Sequence, residues 1–336
     1  MTTHIANRYD IAAWILIGTV MLLVLKVHLL PALLSGLLVF ELVHIIAPYV
    51  ARKFPGKRSK IVAVGLLATV IVGLLTLIGM TLVTFSHSEA GSVPVLMSKM
   101  AQIIDDSRQM LPAWLDERLP ENAIALQHDI TQWLRDHAED LQFFGKEAGR
   151  HAAHILVAMI IGGMVALRET IQAEQLKPFS RALARRIFLF SQAFKNIVFA
   201  QVRISAINAT FTGIYLAVIL PMMGIHLPFT KTMIVITFIV GLLPVIGNLI
   251  SNTVIVIVSM SQSLGVAIAS LIFLVVIHKL EYFLNARIVG GQIKAKAWEL
   301  LIAMLTMEAT FGLVGIVAAP IYYAYVKSEL VKQEWV

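Results

Sequence analysis

An ionisable side chain inside an apolar helix is costly at bilayer depth, so it marks the first candidates for chemistry in this sequence. Glu41 and His44 lie one helical turn apart in the apolar run 31–50, with Pro48 one further turn along the same face. Glu308 stands ten residues into the run 298–326, with no Lys or Arg within eight residues on either side. Ten residues of helix rise about 15 Å, half the hydrocarbon thickness, where a carboxyl serves as a protonation site or as a polar contact to a solute. His278, Glu281 and Asn285 share a helical face at i, i+3 and i+7, with Lys279 and Arg287 nearby. That cluster reads as an interfacial ion pair or as a gate or coupling group. Around Pro244 the chemistry is that of the backbone. Pro removes a donor and Gly241 and Gly247 relax the chain, which exposes amides and carbonyls tolerated at depth only against protein or water. Asn248, Ser251 and Asn252 add neutral polar groups suited to an uncharged or weakly charged solute. A kink that only packs is the plain alternative. The residues assigned to a transport path or its coupling are therefore Glu308, Pro244, Gly247, Asn248, Asn252, Glu41, His44, Glu281 and Arg287.

The elements that must position these groups are membrane helices. The chain has 336 residues, 58% of them hydrophobic and only 14% charged, about half the charged share of an ordinary soluble domain. The composition excludes a water-soluble enzyme. A span needs roughly 20 apolar residues, and segments 11–30, 31–50, 61–86, 152–167, 204–221 and 264–284 read as spans, with 298–326 as one long span or a short helix plus a full one. From 232 to 278 no Asp, Glu, Lys or Arg occurs in 47 residues, too long for one crossing. Its parts 232–243 and 246–260 form one kinked helix or a re-entrant hairpin around Pro244. The fold class is thus all-α: a polytopic membrane protein of about eight segments with a Pro/Gly-broken helix.

Charge sets the expected topology. Arg52, Lys53, Lys57, Arg58 and Lys60 crowd one connection, and Arg168, Lys177, Arg181, Arg185, Arg186, Lys195 and Arg203 another, which places both on the cytoplasmic side. Residues 1–86 are then the first three transmembrane helices, and 87–150 form an external, periplasmic helical insert. That insert carries eleven acids against six Lys or Arg, and its apolar residues recur at helical spacing. Residues 151–336 are a C-terminal transmembrane domain with a basic cytoplasmic amphipathic stretch at 168–203. Within it, Phe188, Phe190, Phe194 and Phe199 separate the cations, as in a helix lying in the headgroup layer. The formal charge of +7 records this topology and not a nucleic-acid partner. Cysteine is absent, so no disulfide framework or thiolate metal site is available.

No Walker loop, His-Glu-x-x-His, Gly-x-Ser-x-Gly or dinucleotide-binding glycine pattern is present, so no catalytic residue, metal or cofactor is assigned. Three motifs then carry a resemblance: Pro244-Val245-Ile246-Gly247 with the Asn/Ser-rich helix after it, Asn285-Ala286-Arg287-Ile288-Val289-Gly290, and the closing run from Gly312 through Gly315 to Pro320. With the order of parts, they resemble the AI-2E (autoinducer-2 exporter, PerM-like) transporter family over nearly the whole chain. One departure is Ala286, where the family usually has Pro before the Arg. The resemblance implies an ATP-independent transporter of the bacterial inner membrane, compatible with a homo-oligomer, whose partners are the lipid bilayer and a small-molecule or ion substrate. Some members are linked to export of autoinducer-2 and others resemble sodium/proton antiporters. Export of a small polar organic solute is the leading expectation, cation/proton antiport the second. A non-transporting scaffold whose insert recruits an external partner is the third.

Overall fold

The computed structural model describes residues 8–87, 128, 132, 136–168, 176–243, 246–260, 262–293 and 296–334. The expected insert therefore falls outside the described residues apart from residues 87, 128, 132 and 136–150, and Pro244 falls outside them as well. The described residues form helices and no strand. In chain order these are α1 (Arg8–Lys26), α2 (Leu30–Ala51), α3 (Lys57–His87), α4 (Ala138–Leu167), α5 (Pro178–Ile214), α6 (Thr230–Val240), α7 (Ile246–Met260), α8 (Leu264–Ile293), α9 (Ala297–Phe311) and α10 (Leu313–Lys332).

Among the described residues five helical stretches are long and apolar enough to cross a membrane: Arg8–Lys26, Leu30–Ala51, Arg58–Leu77, Lys146–Leu167 and Pro178–Met222. The apolar stretches Thr230–Val240, Gly247–Met260 and Leu264–Leu280 are shorter. Large side chains such as Val72, Leu77, Ile160 and Leu305 stand exposed, which suits hydrocarbon and not water around the helices. Two expectations change. The helix that holds the span expected from 152 starts at Ala138, so α4 carries helical structure back into the insert. The surface helix and fifth span expected on either side of residue 203 are one continuous helix. Beyond Ile214 that helix widens into a π-helical turn, Tyr215–Ile219, and closes with Leu220–Met222. Pro221 has no N–H for the carbonyl one turn back, and the wide turn lies directly ahead of it.

The chain divides into two compact units, with the divisions falling inside helices. Unit 1 comprises residues 1–68, 148–203 and 283–336. In it α2 and α4 touch backbone to backbone, since a Cβ added to Gly162 would lie 2.1 Å from the Gly36 carbonyl oxygen. Phe190 of α5 meets Tyr322 and Tyr325 of α10 edge-on at 5.9 and 5.7 Å, and the Tyr322 hydroxyl donates to the Met21 carbonyl of α1 at 3.1 Å. The run 298–326 resolves into two helices, α9 and α10. Gly312 joins them at φ +62°, ψ −145°, a conformation that L side chains rarely adopt. The two fold back on each other, so that Tyr323 and Lys327 near the end of α10 both donate to Glu299 at the start of α9, Lys327 at 3.2 Å.

Unit 2 comprises residues 69–147 and 204–282. Its core gathers Tyr215, Leu216, Leu220, Leu227, Met233, Ile255, Val266 and Leu274. The neutral run resolves into two helices, α6 and α7, which pack against one another, with a turn beginning at Gly241 after α6. Gly247 makes that approach feasible: a Cβ there would sit 2.0 Å from the Val240 carbonyl oxygen.

Candidate functional site

In unit 2 the lower half of α5 presents Ser205, Asn208, Thr212 and Tyr215, spaced three, four and three residues apart and therefore on one face. All four are buried. Ser205, Asn208 and Tyr215 each meet a polar group on a neighbouring helix, and with Thr212 they make an uncharged polar seam.

Ser205 donates its hydroxyl to the carbonyl of Phe238. That carbonyl lies where α6 ends and the ladder tightens to three-residue bonds, Leu242 N to Ile239 O at 3.3 Å and Leu243 N to Val240 O at 2.9 Å. Ser205 thus satisfies one of the acceptors a helix end leaves open. Asn208 Nδ2 donates to Asn248 Oδ1 at 3.3 Å, immediately after Gly247. Asn252, one turn further along α7, places its amide nitrogen 2.8 Å from His278 Nε2 on α8, which makes the ring nitrogen the acceptor. Tyr215 stacks on Phe273 at a centroid distance of 4.0 Å, and its hydroxyl lies 3.0 Å from Ser270, itself 2.8 Å from Ser259. Thr212 differs from the rest. Its hydroxyl is buried, the residue being 1% exposed, and has no partner among the described residues. A buried hydroxyl left in that state costs about 1–3 kcal/mol, which a bound polar molecule in the seam would recover.

Of the site residues expected from sequence, Gly247, Asn248 and Asn252 come together here, and His278 joins them. Ser205, Asn208, Thr212 and Tyr215 were missed, although their stripe on an apolar span is readable at the spacing given above. The π-helical turn beginning at Tyr215 has no comparable sequence signal.

Unit 1 holds buried charge instead. Glu41 is 4% exposed, accepts the Ser191 hydroxyl and lies 3.5 Å from Lys195 Nζ, one turn further along α5. His44 does not join it: its Nδ1 lies 2.8 Å from the Phe40 carbonyl of its own helix. Arg186, 1% exposed, donates to Asp10 at 2.9 Å and to the Ala182 carbonyl at 2.8 Å, with its guanidinium 4.8 Å from the centre of the Trp14 ring. Its Nε lies 4.0 Å from Glu329, which also accepts from Trp14 Nε1 at 3.3 Å and from Tyr325 at 3.4 Å. The cluster ties α1, α5 and α10 together. Its members were read from sequence only as topology charges or not at all.

Glu308 is exposed on α9 and makes no described contact with Glu41 or His44. Glu281 and Arg287 lie on α8, with side chains outside the described residues, as Pro244 is altogether. Among the described residues no group of three or more His, Asp or Glu side chains could hold a metal ion.

Helices of spanning length, an apolar exterior and an uncharged polar seam define a multi-pass helical membrane protein. The chain matches the family described as AI-2E family transporter over residues 11–332, nearly its whole length, and belongs to that family. Its members are membrane transporters and not enzymes. Neither a comparison with curated proteins nor one with solved structures finds a match.

Proposed function

We propose that this transporter exports a small polar organic solute without ATP, across a bacterial inner membrane, along the seam on α5. Autoinducer-2-like signals are the leading substrate class. One observation carries the reading: a row of buried hydroxyls and amides without fixed charge, containing in Thr212 a hydroxyl that nothing described satisfies. Neutral groups of this kind replace a solute's water without holding it too tightly to leave. The break at Pro244 and Gly247, read as re-entrant, exposes backbone polar groups beside Asn248 and Asn252 and lines the same path. Glu308 is the acid we assign to coupling or solute contact on α9, and Glu281 and Arg287 are assigned to a gate on α8.

The second reading is cation/proton antiport, favoured by the buried carboxylates Glu41 and Glu329, which lie against Lys195 and Arg186, since buried carboxylates exchange protons for cations. Flux into proteoliposomes of the purified full chain separates the two. Solute counterflow with no imposed ion gradient is the result expected. Proton movement driven by a sodium gradient, with no counterflow, would transfer the assignment to antiport, and neither flux would leave a scaffold.

A further inference from the structure

The end of unit 1 where α2 stops, α3 begins and α4 stops borders an open cavity of about 730 Å³. Its polar lining is cationic or neutral: His44 from α2, Ser59 and Lys60 from the first turns of α3, and Arg168 just after α4. Among the described residues no Asp or Glu lines it. The first turn of α3 carries no acid either, so the positive end of a 31-residue helix adds to the side-chain charge. The remaining wall is apolar, formed by Ala47, Pro48, Ala51, Ile61 and Leu167.

Among the described residues no counter-charge faces these cations, so they repel one another, and an anion relieves that repulsion. Lys supplies a point charge and Arg a planar fork of donors, a pairing that suits the oxygens of a phosphate group. The apolar wall adds a second requirement, because a small free ion would leave it bare. A phosphate esterified to glycerol covers both kinds of surface. The cavity also lies at the end of the bundle that carries Arg52, Lys53, Lys57 and Arg58 in sequence, where the headgroup layer meets the protein.

We infer that this cavity is a binding site for a glycerol-linked phosphate, supplied by the headgroup of an anionic phospholipid, with Lys60 and Arg168 holding the phosphate and the apolar wall holding the glycerol. The site is separate from the α5 seam and does not depend on which solute the seam carries.

The test uses the full chain in detergent, mixed with phosphatidylglycerol or phosphatidylcholine, with retained lipid counted by native mass spectrometry. Free glycerol 3-phosphate is assayed in parallel by its effect on thermal unfolding. Wild type is expected to keep phosphatidylglycerol in preference to phosphatidylcholine. The Lys60→Gln/Arg168→Gln double variant should keep it roughly tenfold less well, having lost two charge-assisted contacts. Lys53→Gln/Arg58→Gln removes the same charge from residues that do not line the cavity and should behave as wild type. Stabilisation by glycerol 3-phosphate that the cavity variant loses would support the same site with a soluble source. No preference between the two lipids together with no effect of glycerol 3-phosphate would overturn the proposal, as would equal losses in both double variants. If the double variant does not fold, Arg168→Gln alone carries the comparison.

Discussion

At the scale of single residues, the sharpest question is the Thr212 hydroxyl, buried in a seam whose other members are paired. Thr212→Val keeps the shape and removes the group. Because no described residue satisfies the hydroxyl, its loss should leave thermal stability unchanged or raise it, by up to about 1–3 kcal/mol, while solute flux falls several-fold. Unchanged flux at normal abundance would make the threonine a packing residue. Glu308 poses a different problem, since a carboxylate exposed among exposed Leu301, Ile302 and Leu305 has only lipid or a bound species to face. Glu308→Gln removes titration and keeps shape. A coupling carboxyl should lose the pH dependence of flux in that variant, whereas a hydrogen-bonding one should keep most flux at every pH. Parental transport by both Glu308→Gln and Glu308→Ala would show the wrong acid was chosen.

At the scale of elements, two short helix pairs, α6 with α7 and α9 with α10, each contain a glycine pressed against a carbonyl. A Cβ on Gly247 would meet Val240 oxygen at 2.0 Å, and one on Gly315 would meet Met307 oxygen at the same distance. Backbone cannot retreat as a flexible side chain can, so Gly247→Ala should wedge α6 from α7, shift the register of Asn248 against Asn208 and lower flux. Gly265→Ala is the control, its nearest neighbour being 3.7 Å away. Melting curves and flux on the two variants decide this; equal behaviour would mean that the pair is compliant. The apolar runs were legible in sequence because hydropathy acts locally, whereas the start of α4 and the continuity of α5 through residue 203 were not. Whether 232–260 would kink or fold back was not, since the outcome rests on contacts between Met233 and Ile255 in one core.

At the scale of the whole molecule, buried ion groups join helices that are far apart in sequence. Arg186 reaches Asp10 across 176 residues and lies 4.0 Å from Glu329. Arg186→Met would strand two carboxylates and Trp14 and should cost about 3–5 kcal/mol, the penalty of leaving buried charge unpaired. Loss of the monodisperse peak in size-exclusion chromatography checks this, and Arg186→Lys should recover it only in part because it lacks the planar fork. Topology is tested in the same cysteine-free chain. With an impermeant thiol reagent in intact cells, Asp129→Cys should react and Lys53→Cys should not; the reverse would invert the orientation.

Composition and the length of the apolar runs determined that this is a helical membrane protein, because a run of roughly 20 apolar residues satisfies its own backbone groups as a helix whatever its neighbours are. Local spacing also placed Gly247, Asn248 and Asn252. Tertiary structure alone decided which polar groups meet. Arg186 and Lys195 read as topology charges until α1, α2 and α10 brought carboxylates to them, and it is packing that leaves Glu308 exposed on α9. Burial is a property of the neighbours that packing brings, and a single helical segment does not encode its own.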